Sequence, residues 1–214
     1  MFFPKILDLI FPPVCGICGK PIKNNTTTCL NCASILQYGR EKKVINPIHQ
    51  DFDRLIALFP YEGIIREKLL SFKFHSQKYI KYSFARLLAD RIQKEKIAFD
   101  IIIPVPISKK RYHERGFNQS NEIAKELSYL IHKRVEKRVL IKSKDNAKQS
   151  TLSKKKRQQN VKGVYEVVHT EKLKEKRVLL IDDIITTGAT VNECAKTLKE
   201  NGAIQVIVMT LAYA

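Results

Sequence analysis

The chain has 214 residues, with 39 Lys or Arg against 21 Asp or Glu, which gives a formal net charge of +18 at pH 7. Its length suits one sizeable domain plus a small module, and its 44% hydrophobic content is ordinary for a globular protein. No apolar run approaches the roughly 20 residues that a membrane-spanning helix needs, which argues against an integral membrane protein. The excess of positive charge favours a polyanionic partner.

The first eleven residues, MFFPKILDLIF, resemble a secretory signal only in part. Asp8 interrupts the apolar run, Pro12 and Pro13 follow it, and no small-residue cleavage site is present. We interpret this stretch as a short amphipathic docking segment, and we predict that the protein is cytoplasmic.

Four of the five cysteines form two Cys-x2-Cys pairs, with ten residues between the pairs. Each pair can place two thiolates on one metal ion, so the two pairs predict one tetrahedral structural Zn²⁺ site with no open catalytic position. The predicted ligands are Cys15, Cys18, Cys29 and Cys32. Disulfides are one alternative, which a reducing cytosol disfavours, and a redox Cys-x2-Cys motif is another, although nothing nearby indicates a βαβ unit. Cys194 stands apart and is interpreted as a buried apolar residue.

Strand and helix patterns alternate after a weakly patterned polar stretch at 33–52, which we interpret as a linker or ribbon edge. The predicted strands are 55–61, 101–103, 164–168, 178–181 and 204–211, and the predicted helices are 64–74, 79–94, 191–199 and one that begins after an N-cap at Asn118 or Ser120. This alternation predicts an α/β fold.

A segment dense in cations, SKKRYHERGFNQS, follows the apolar strand at 101–103 and the turn Pro-Val-Pro. We predict that it is a loop at the edge of the sheet where open α/β proteins bind ligands. Clustered Arg and Lys side chains suit pyrophosphate, and the predicted ligands are Lys109, Lys110, Arg111 and Arg115. Tyr112 and Phe117 flank these cations and are predicted to be available for stacking on bases. A solvated basic loop is the alternative.

The stretch RVLLIDDIITTGAT carries the strongest ligand signal. An apolar strand leads into Asp182 and Asp183, and a short loop at 186–190 precedes a helix. Backbone N–H groups, threonine hydroxyls and the helix N-terminus would converge there on an anion, and Gly188 permits close approach. The alternative is a capped helix start with Asp183 or Thr187 as the N-cap.

The same stretch resembles, without a gap, the phosphoribosyl pyrophosphate (PRPP) signature of type I phosphoribosyltransferases. The resemblance implies that Asp182 and Asp183 are catalytic and hold the ribose 2′- and 3′-hydroxyls, with Mg²⁺ accompanying PRPP. It implies that the 5′-phosphate is held by Thr186, Thr187, Gly188, Ala189 and Thr190. Purine-salvage relatives often place an aspartate where Thr186 stands, so an ordinary purine enzyme is not indicated.

Three parts in a fixed order, namely the cysteine pairs, PVPISKKRYHERGFNQSNEIA and VLLIDDIITTGAT, resemble the ComF-type competence protein family over nearly the whole chain. The resemblance implies a zinc-finger module at 1–50 with its leading amphipathic segment, followed by a domain of the type I phosphoribosyltransferase fold at 51–214, built on a mostly parallel sheet. It implies a role in natural transformation with incoming single-stranded DNA. Implied partners are other DNA-uptake proteins, such as a helicase or translocase, at the inner face of the membrane.

Residues 133–157 hold eleven Lys or Arg against two acids, a net charge of +9. The polar part of this region, at about 141–159, is predicted to be a mobile lid. In the family it tends to read T-x-x-Q-x-x-L followed by R-x-x-N-V, and here Asn146 replaces the threonine while the other positions match. The predicted nucleic-acid contacts are Lys148, Lys154, Lys155, Lys156 and Arg157. A solvated charged surface is the alternative.

Two functions are therefore compatible with the sequence. The first is a factor that handles single-stranded DNA and has a PRPP-binding site. The second is an active phosphoribosyltransferase on an unidentified acceptor, with the basic charge incidental.

Overall fold

The computed structural model describes residues 14–15, 17–22, 28–38, 43–45, 50–74, 80–144 and 163–214. The helices are α1 (Leu30–Tyr38), α2 (Gly63–Phe74), α3 (Ile80–Glu95), α4 (Lys109–Arg115), α5 (Gln119–Ile131) and α6 (Ala189–Glu200). The strands are β1 (Lys43–Ile45), β2 (Arg54–Pro60), β3 (Ile101–Pro104), β4 (Arg134–Val135), β5 (Leu140–Lys142), β6 (Tyr165–Val167), β7 (Lys176–Ile185) and β8 (Ala203–Tyr213).

The main sheet has the strand order β1-β2-β8-β7-β3-β4. Every neighbouring pair in it is parallel except β1 with β2, which is antiparallel. Strands β5 and β6 form a separate antiparallel pair. The predicted α/β fold with a mostly parallel central sheet is confirmed.

Both faces of the main sheet are covered, which explains why its central strands are almost continuously apolar. Side chains of β7 alternate between two apolar clusters. Leu179 and Ile181 join the cluster formed with helices α2, α3 and α5, whereas Val178 and Leu180 join the cluster formed with α6.

Several of the described residues before position 50 pack on the same core as the main sheet. Cys15, Ile17 and Cys32 are buried in the cluster that contains Leu69 and Phe72 of α2. Strand β1 pairs with β2 at the edge of the main sheet. The stretch 33–52, interpreted from its weak pattern as a linker or ribbon edge, holds most of α1 and all of β1. The sequence did not predict these two elements, because their apolar residues do not repeat at a clear helix or strand period.

The predicted basic loop is instead helix α4. Its N-cap is Ser108, whose hydroxyl accepts a hydrogen bond from the Arg111 N–H at 3.2 Å. It ends at Gly116, which has φ of 75°, and whose N–H donates to the Tyr112 carbonyl. The sequence did not reveal this helix because KKRYHER has no apolar residue that repeats at helical spacing.

Strand β7 is longer than predicted, so Asp182 and Asp183 lie within the strand and not after it. The hydrogen-bonded pairing of β7 with β8 continues as far as Ile185 with Tyr213. This pairing keeps the backbone of the acid pair extended.

The predicted docking segment at 1–11 and most of the predicted lid lie outside the described residues. So do all five predicted nucleic-acid contacts, which are Lys148, Lys154, Lys155, Lys156 and Arg157. Within the described ranges, no helix combines the length and the apolar character needed to cross a bilayer.

Candidate functional site

A cavity of about 400 Å³ lies at the carboxyl ends of β3 and β7, where α4, α5 and α6 begin. Among the residues that the structure describes, its charged lining consists of Lys73, Arg111, Arg115, Lys142, Asp182 and Asp183. Four cations thus surround two acids, so the cavity has a net positive lining. Such a lining attracts an anionic ligand.

Two different helices, α5 and α2, hold the two carboxylates, and both helices pack on the same face of the sheet. Asp182 Oδ1 accepts hydrogen bonds from the Ser120 hydroxyl and from the Asp183 N–H, both at 2.9 Å. Asp183 is only 8% exposed, and its Oδ2 lies 2.5 Å from Nζ of Lys73. One carboxylate therefore rests on α5 and the other on α2.

The environment of Asp182 favours its neutral form. Burial and the negative charge of Asp183 raise its pKa to about 7, although the Asp183 N–H, the Ser120 hydroxyl and the Lys73 charge act in the opposite direction. Asp182 therefore gains or loses its proton near neutral pH. A cation or a hydroxyl-bearing ligand beside it would draw it toward the fully charged form that accepts hydrogen bonds best.

The loop between β7 and α6 has the shape of an anion site. Gly188 takes the N-cap position with φ of 78°, a conformation that strains any residue with a Cβ. The alternative N-caps Asp183 and Thr187 are therefore wrong, although the Thr187 hydroxyl accepts a hydrogen bond from the Ala189 N–H at 3.4 Å. Thr186 to Thr190 all line the cavity, at the helix end whose backbone N–H groups favour negative charge.

Helix α4 divides the four cations predicted to bind pyrophosphate. Arg111 and Arg115, one turn apart, line the cavity, whereas Lys109 and Lys110 are exposed and are absent from its lining. Helical geometry separates them, since neighbouring residues do not share a face. Arg115 is fixed by a hydrogen bond from its Nη1 to Oε1 of Gln119 at 2.9 Å. Burial lowers the pKa of Arg115, and the nearby Asp183 opposes this shift.

Some cavity residues could not be assigned to the site from the sequence. Lys73 reaches it from the end of α2, and Lys142 and Tyr165 reach it from the β5–β6 pair. The Tyr165 hydroxyl is hydrogen-bonded to Thr190, and burial raises the pKa of this tyrosine. No spacing rule connects these positions with the PRPP signature, because separate elements bring them together.

The two aromatic residues that flank the cations behave differently from each other. Tyr112 is 52% exposed, as a stacking residue must be. Phe117 is only 5% exposed and packs against Phe72, with ring centroids 5.5 Å apart, so its prediction as a stacking residue is wrong. Phe74, which the sequence did not single out, is 64% exposed beside the cavity.

The four clustered cysteines can hold one metal ion. All four Sγ atoms lie within 4.8 Å of one another, and those of Cys18 and Cys29 are 3.7 Å apart. A tetrahedral site with Zn–S bonds of about 2.3 Å has its sulfur atoms roughly 3.8 Å apart, so the cluster fits Zn²⁺. All five cysteines of the chain are free thiols, contrary to the disulfide alternative.

The protonation of the cluster also favours a cation. Burial raises the pKa of Cys15, but hydrogen bonds from backbone N–H groups, that of Cys18 foremost, lower it to about 6. Burial and the neighbouring sulfur atoms raise the pKa of Cys32 far above its usual range. One thiolate thus forms readily, whereas the ionisation of a second thiol is disfavoured. A bound divalent cation would favour the ionisation of the remaining thiols.

Two domain models match the chain: a phosphoribosyl transferase domain at residues 74–214 and a double zinc ribbon domain at 6–44. Competence protein F of Haemophilus influenzae is 32% identical over 210 residues, which cover 94% of this chain and 90% of that protein. The chain belongs to the ComF-type competence protein family.

Other relatives of this ComF-type protein have similar coverage. Competence protein ComFC of Bacillus subtilis is 28% identical over 88% of this chain and 72% of that protein. DNA utilization protein YhgH of Escherichia coli K12 is 27% identical over 92% of this chain and 89% of that protein. The zinc ribbon match and the geometry of the four thiols together support structural zinc.

Solved structures of phosphoribosyltransferases are more distant. A purine phosphoribosyltransferase from Pyrococcus horikoshii is 20% identical, covers 62% of this chain and 73% of its own, and has a TM-score of 0.41. Glutamine PRPP amidotransferase from B. subtilis is 24% identical over 61% of this chain and 25% of its own, also with a TM-score of 0.41. The family assignment rests on the sequence relatives and the domain models.

Proposed function

We propose that this ComF-type protein binds incoming single-stranded DNA in the cytoplasm during natural transformation, and that its cavity holds a phosphoribosyl compound such as PRPP together with Mg²⁺. One observation carries the proposal: the loop from Thr186 to Thr190, the acid pair and four cations line the same cavity. Each of these groups suits a different part of the same ligand.

The ligand parts are assigned by charge and hydrogen-bonding capacity. The loop with Gly188 suits the 5′-phosphate, because backbone N–H groups at a helix start bind anions. Asp182 and Asp183 suit the ribose hydroxyls, which donate hydrogen bonds to carboxylates. Arg111 and Arg115 suit the pyrophosphate, whose oxygens accept from guanidinium groups in pairs. The carboxylates of Asp182 and Asp183 would hold Mg²⁺, which would neutralise part of the negative charge of the diphosphate.

The proposed DNA-binding role has separate support. The chain carries a net charge of +18, and half of the excess lies in residues 133–157. Its relatives include proteins named for competence and for DNA utilization. Binding of single-stranded DNA to such a positively charged region is favourable, because its phosphates release their counterions. The protein acts at the inner face of the membrane through other DNA-uptake proteins, of which a helicase or translocase is the expected class.

The test is a titration of fluorescently labelled single-stranded DNA at several salt concentrations. We expect the affinity to fall steeply with salt, and the slope to become smaller when Lys154, Lys155, Lys156 and Arg157 are replaced by Gln. The matched control replaces the exposed residues Lys94, Lys125, Lys174 and Lys196 by Gln, which removes equal charge elsewhere. An absence of DNA affinity contradicts the DNA-binding role, whereas equal reduction by both sets contradicts the assignment of the contacts to Lys154, Lys155, Lys156 and Arg157.

A second titration tests the phosphoribosyl ligand separately. We expect PRPP with Mg²⁺ to raise the melting temperature of the wild-type protein. The melting temperature of Asp183→Ala should be the same with and without this ligand. No shift at millimolar PRPP in the wild type contradicts the ligand assignment, whatever the DNA titration shows.

An active phosphoribosyltransferase is the second candidate function. It is favoured by one observation, namely that the acid pair, Arg111 and Arg115 all line the same cavity, as a reaction centre requires. Thr186 lines that space without the carboxylate that purine-salvage enzymes use there, so the acceptor would not be an ordinary purine. Release of pyrophosphate from PRPP that requires an added acceptor, and that is lost in Asp182→Ala and Asp183→Ala, would support it.

A further inference from the structure

Arg115 connects the cavity with an exposed aromatic surface outside it. Its guanidinium carbon lies 5.6 Å from the centroid of the Phe74 ring, while the same side chain lines the cavity. Tyr112 lies one helical turn before Arg115 on α4, so the two side chains are neighbours. Phe74, Arg115 and Tyr112, which we call the rim, therefore lie in succession beside the cavity mouth.

The exposure of the two rings is not required by the core. In the last turn of α2, Phe72 is fully buried against Phe84 and Phe117, whereas Phe74 is 64% exposed. Tyr112 is 52% exposed, and no residue of α4 is buried. Large aromatic rings that face water beside a cationic group are the arrangement that stacks on nucleobases.

The charge of the rim selects the kind of ligand. Helix α4 carries Lys109, Lys110, Arg111 and Arg115 against the single acid Glu114. The exposed Lys109 and Lys110 could bind the phosphates of a nucleic acid, and the exposed ring of Tyr112 on the same helix could stack on one of its bases. A single-stranded nucleic acid presents these two features in alternation.

We propose that the rim is a stacking surface for the bases of single-stranded DNA, and that the strand and the phosphoribosyl ligand meet at Arg115. This inference rests on the proposed DNA-binding function and assigns a place to it. Because Arg115 contacts both surfaces, occupancy of the cavity by PRPP and Mg²⁺ changes the affinity for DNA, and DNA changes the affinity for PRPP by the same factor.

Tryptophan substitution gives a direct readout, since the chain contains no Trp. In Phe74→Trp and in Tyr112→Trp, the new residue is the sole indole, and we expect single-stranded DNA to quench its fluorescence. Tyr129→Trp is the matched control: Tyr129 is 63% exposed, but it lies nine residues along α5 from Ser120, which is about 14 Å. Its fluorescence should not change with DNA, and PRPP, which has no base, should not quench any of the three by stacking.

Alanine variants measure the contribution to binding. We expect Phe74→Ala and Tyr112→Ala each to weaken single-stranded DNA binding about tenfold, and Tyr129→Ala to leave it within twofold. Phe74→Tyr should restore the affinity, which separates stacking from a folding defect. The rise in melting temperature with PRPP and Mg²⁺ should persist in Phe74→Ala.

The outcomes separate this inference from the proposed function. If the wild type binds DNA while the two rim variants bind as tightly and neither indole is quenched, the rim assignment is wrong and DNA binding stands. If the wild type binds no DNA at all, both are wrong. DNA affinity that is the same at zero and at saturating PRPP contradicts the meeting of the two ligands at Arg115.

Discussion

Nζ of Lys73 lies 2.5 Å from Oδ2 of Asp183, although 110 residues separate the two in the sequence. The contact ties the end of α2 to the strand that carries the acid pair. It also supplies the counter-ion of a carboxylate that is only 8% exposed. A ligand that binds Asp183 must therefore share that carboxylate with Lys73.

The Lys73–Asp183 pair should contribute to stability as well as to ligand binding. We expect Lys73→Met to lower the free energy of unfolding by about 2 kcal/mol, because it leaves a largely buried carboxylate without its cation. Denaturant unfolding measures this change. Lys196→Met on α6 is the control, since Lys196 is half exposed and pairs with the exposed Glu200, and it should change stability by less than about 0.5 kcal/mol.

A double-mutant cycle completes that test. Adding Asp183→Asn to Lys73→Met should recover part of the loss, because the unpaired charge is then removed. If the two substitutions are simply additive, the pair makes no net contribution in solution.

The arginines of α4 should matter for PRPP and the lysines should not. We expect Arg111→Gln and Arg115→Gln each to weaken PRPP binding at least tenfold, because guanidinium groups pair with pyrophosphate oxygens inside the cavity. Lys109→Gln and Lys110→Gln should leave it within about threefold, since exposed charges are screened by salt. Calorimetric titration with PRPP and Mg²⁺ measures all four variants. Equal losses from both pairs would indicate that α4 acts only through its total charge.

The raised pKa of Asp182 gives stability a defined pH dependence. An unfolded aspartate titrates near pH 4, whereas Asp182 keeps its proton in the folded state up to about pH 7. The folded state binds more protons in that window, so this group's contribution to stability is lost as the pH rises from about 4 to about 7. Asp182→Asn, which imitates the protonated form, should match the wild type at pH 5 and melt a few degrees higher at pH 8.

Melting curves at both pH values measure this difference. Asp90→Asn provides the control, because its side chain is 64% exposed on α3, and it should show no such gain at pH 8. If Asp182→Asn raises the melting temperature equally at both pH values, the ionisation of Asp182 is not disfavoured in the folded protein.

Removal of zinc should destabilise the whole protein and not only the zinc module. Cys15, Ile17 and Cys32 are buried in the same cluster as Leu69 and Phe72. We therefore expect one zinc per chain, and Cys15→Ser or a strong chelator should lower the melting temperature of the whole protein by at least about 5 °C. Metal analysis and calorimetry give the two measurements.

Cys194→Ala is the control for that experiment, since Cys194 is a buried residue of α6 and lies apart from the four-thiol cluster. It should retain the zinc. A Cys15→Ser protein that also retains its full zinc content would contradict the four-ligand site.

Short-range patterns determined much of the fold and part of the site. The apolar run before Asp182 predicted a buried strand, and the two Cys-x2-Cys pairs predicted one cluster, because each depends on residues that are close in sequence. Helix α4 escaped this kind of prediction. It is specified by the cap at Ser108 and the left-handed Gly116, not by an apolar stripe.

The sequence by itself determined five strands and four helices in their order, the cysteine cluster, the two adjacent acids and the loop that follows them. Only the tertiary structure decided that Lys73, Lys142 and Tyr165 share the cavity with them, that Phe117 is buried while Phe74 is exposed, and that α4 directs its arginines inward. The physical reason is that a local pattern sets the period and the ends of an element. Which side chains of distant elements meet depends instead on how the helices pack across the sheet, and one chain read in order does not contain that packing explicitly.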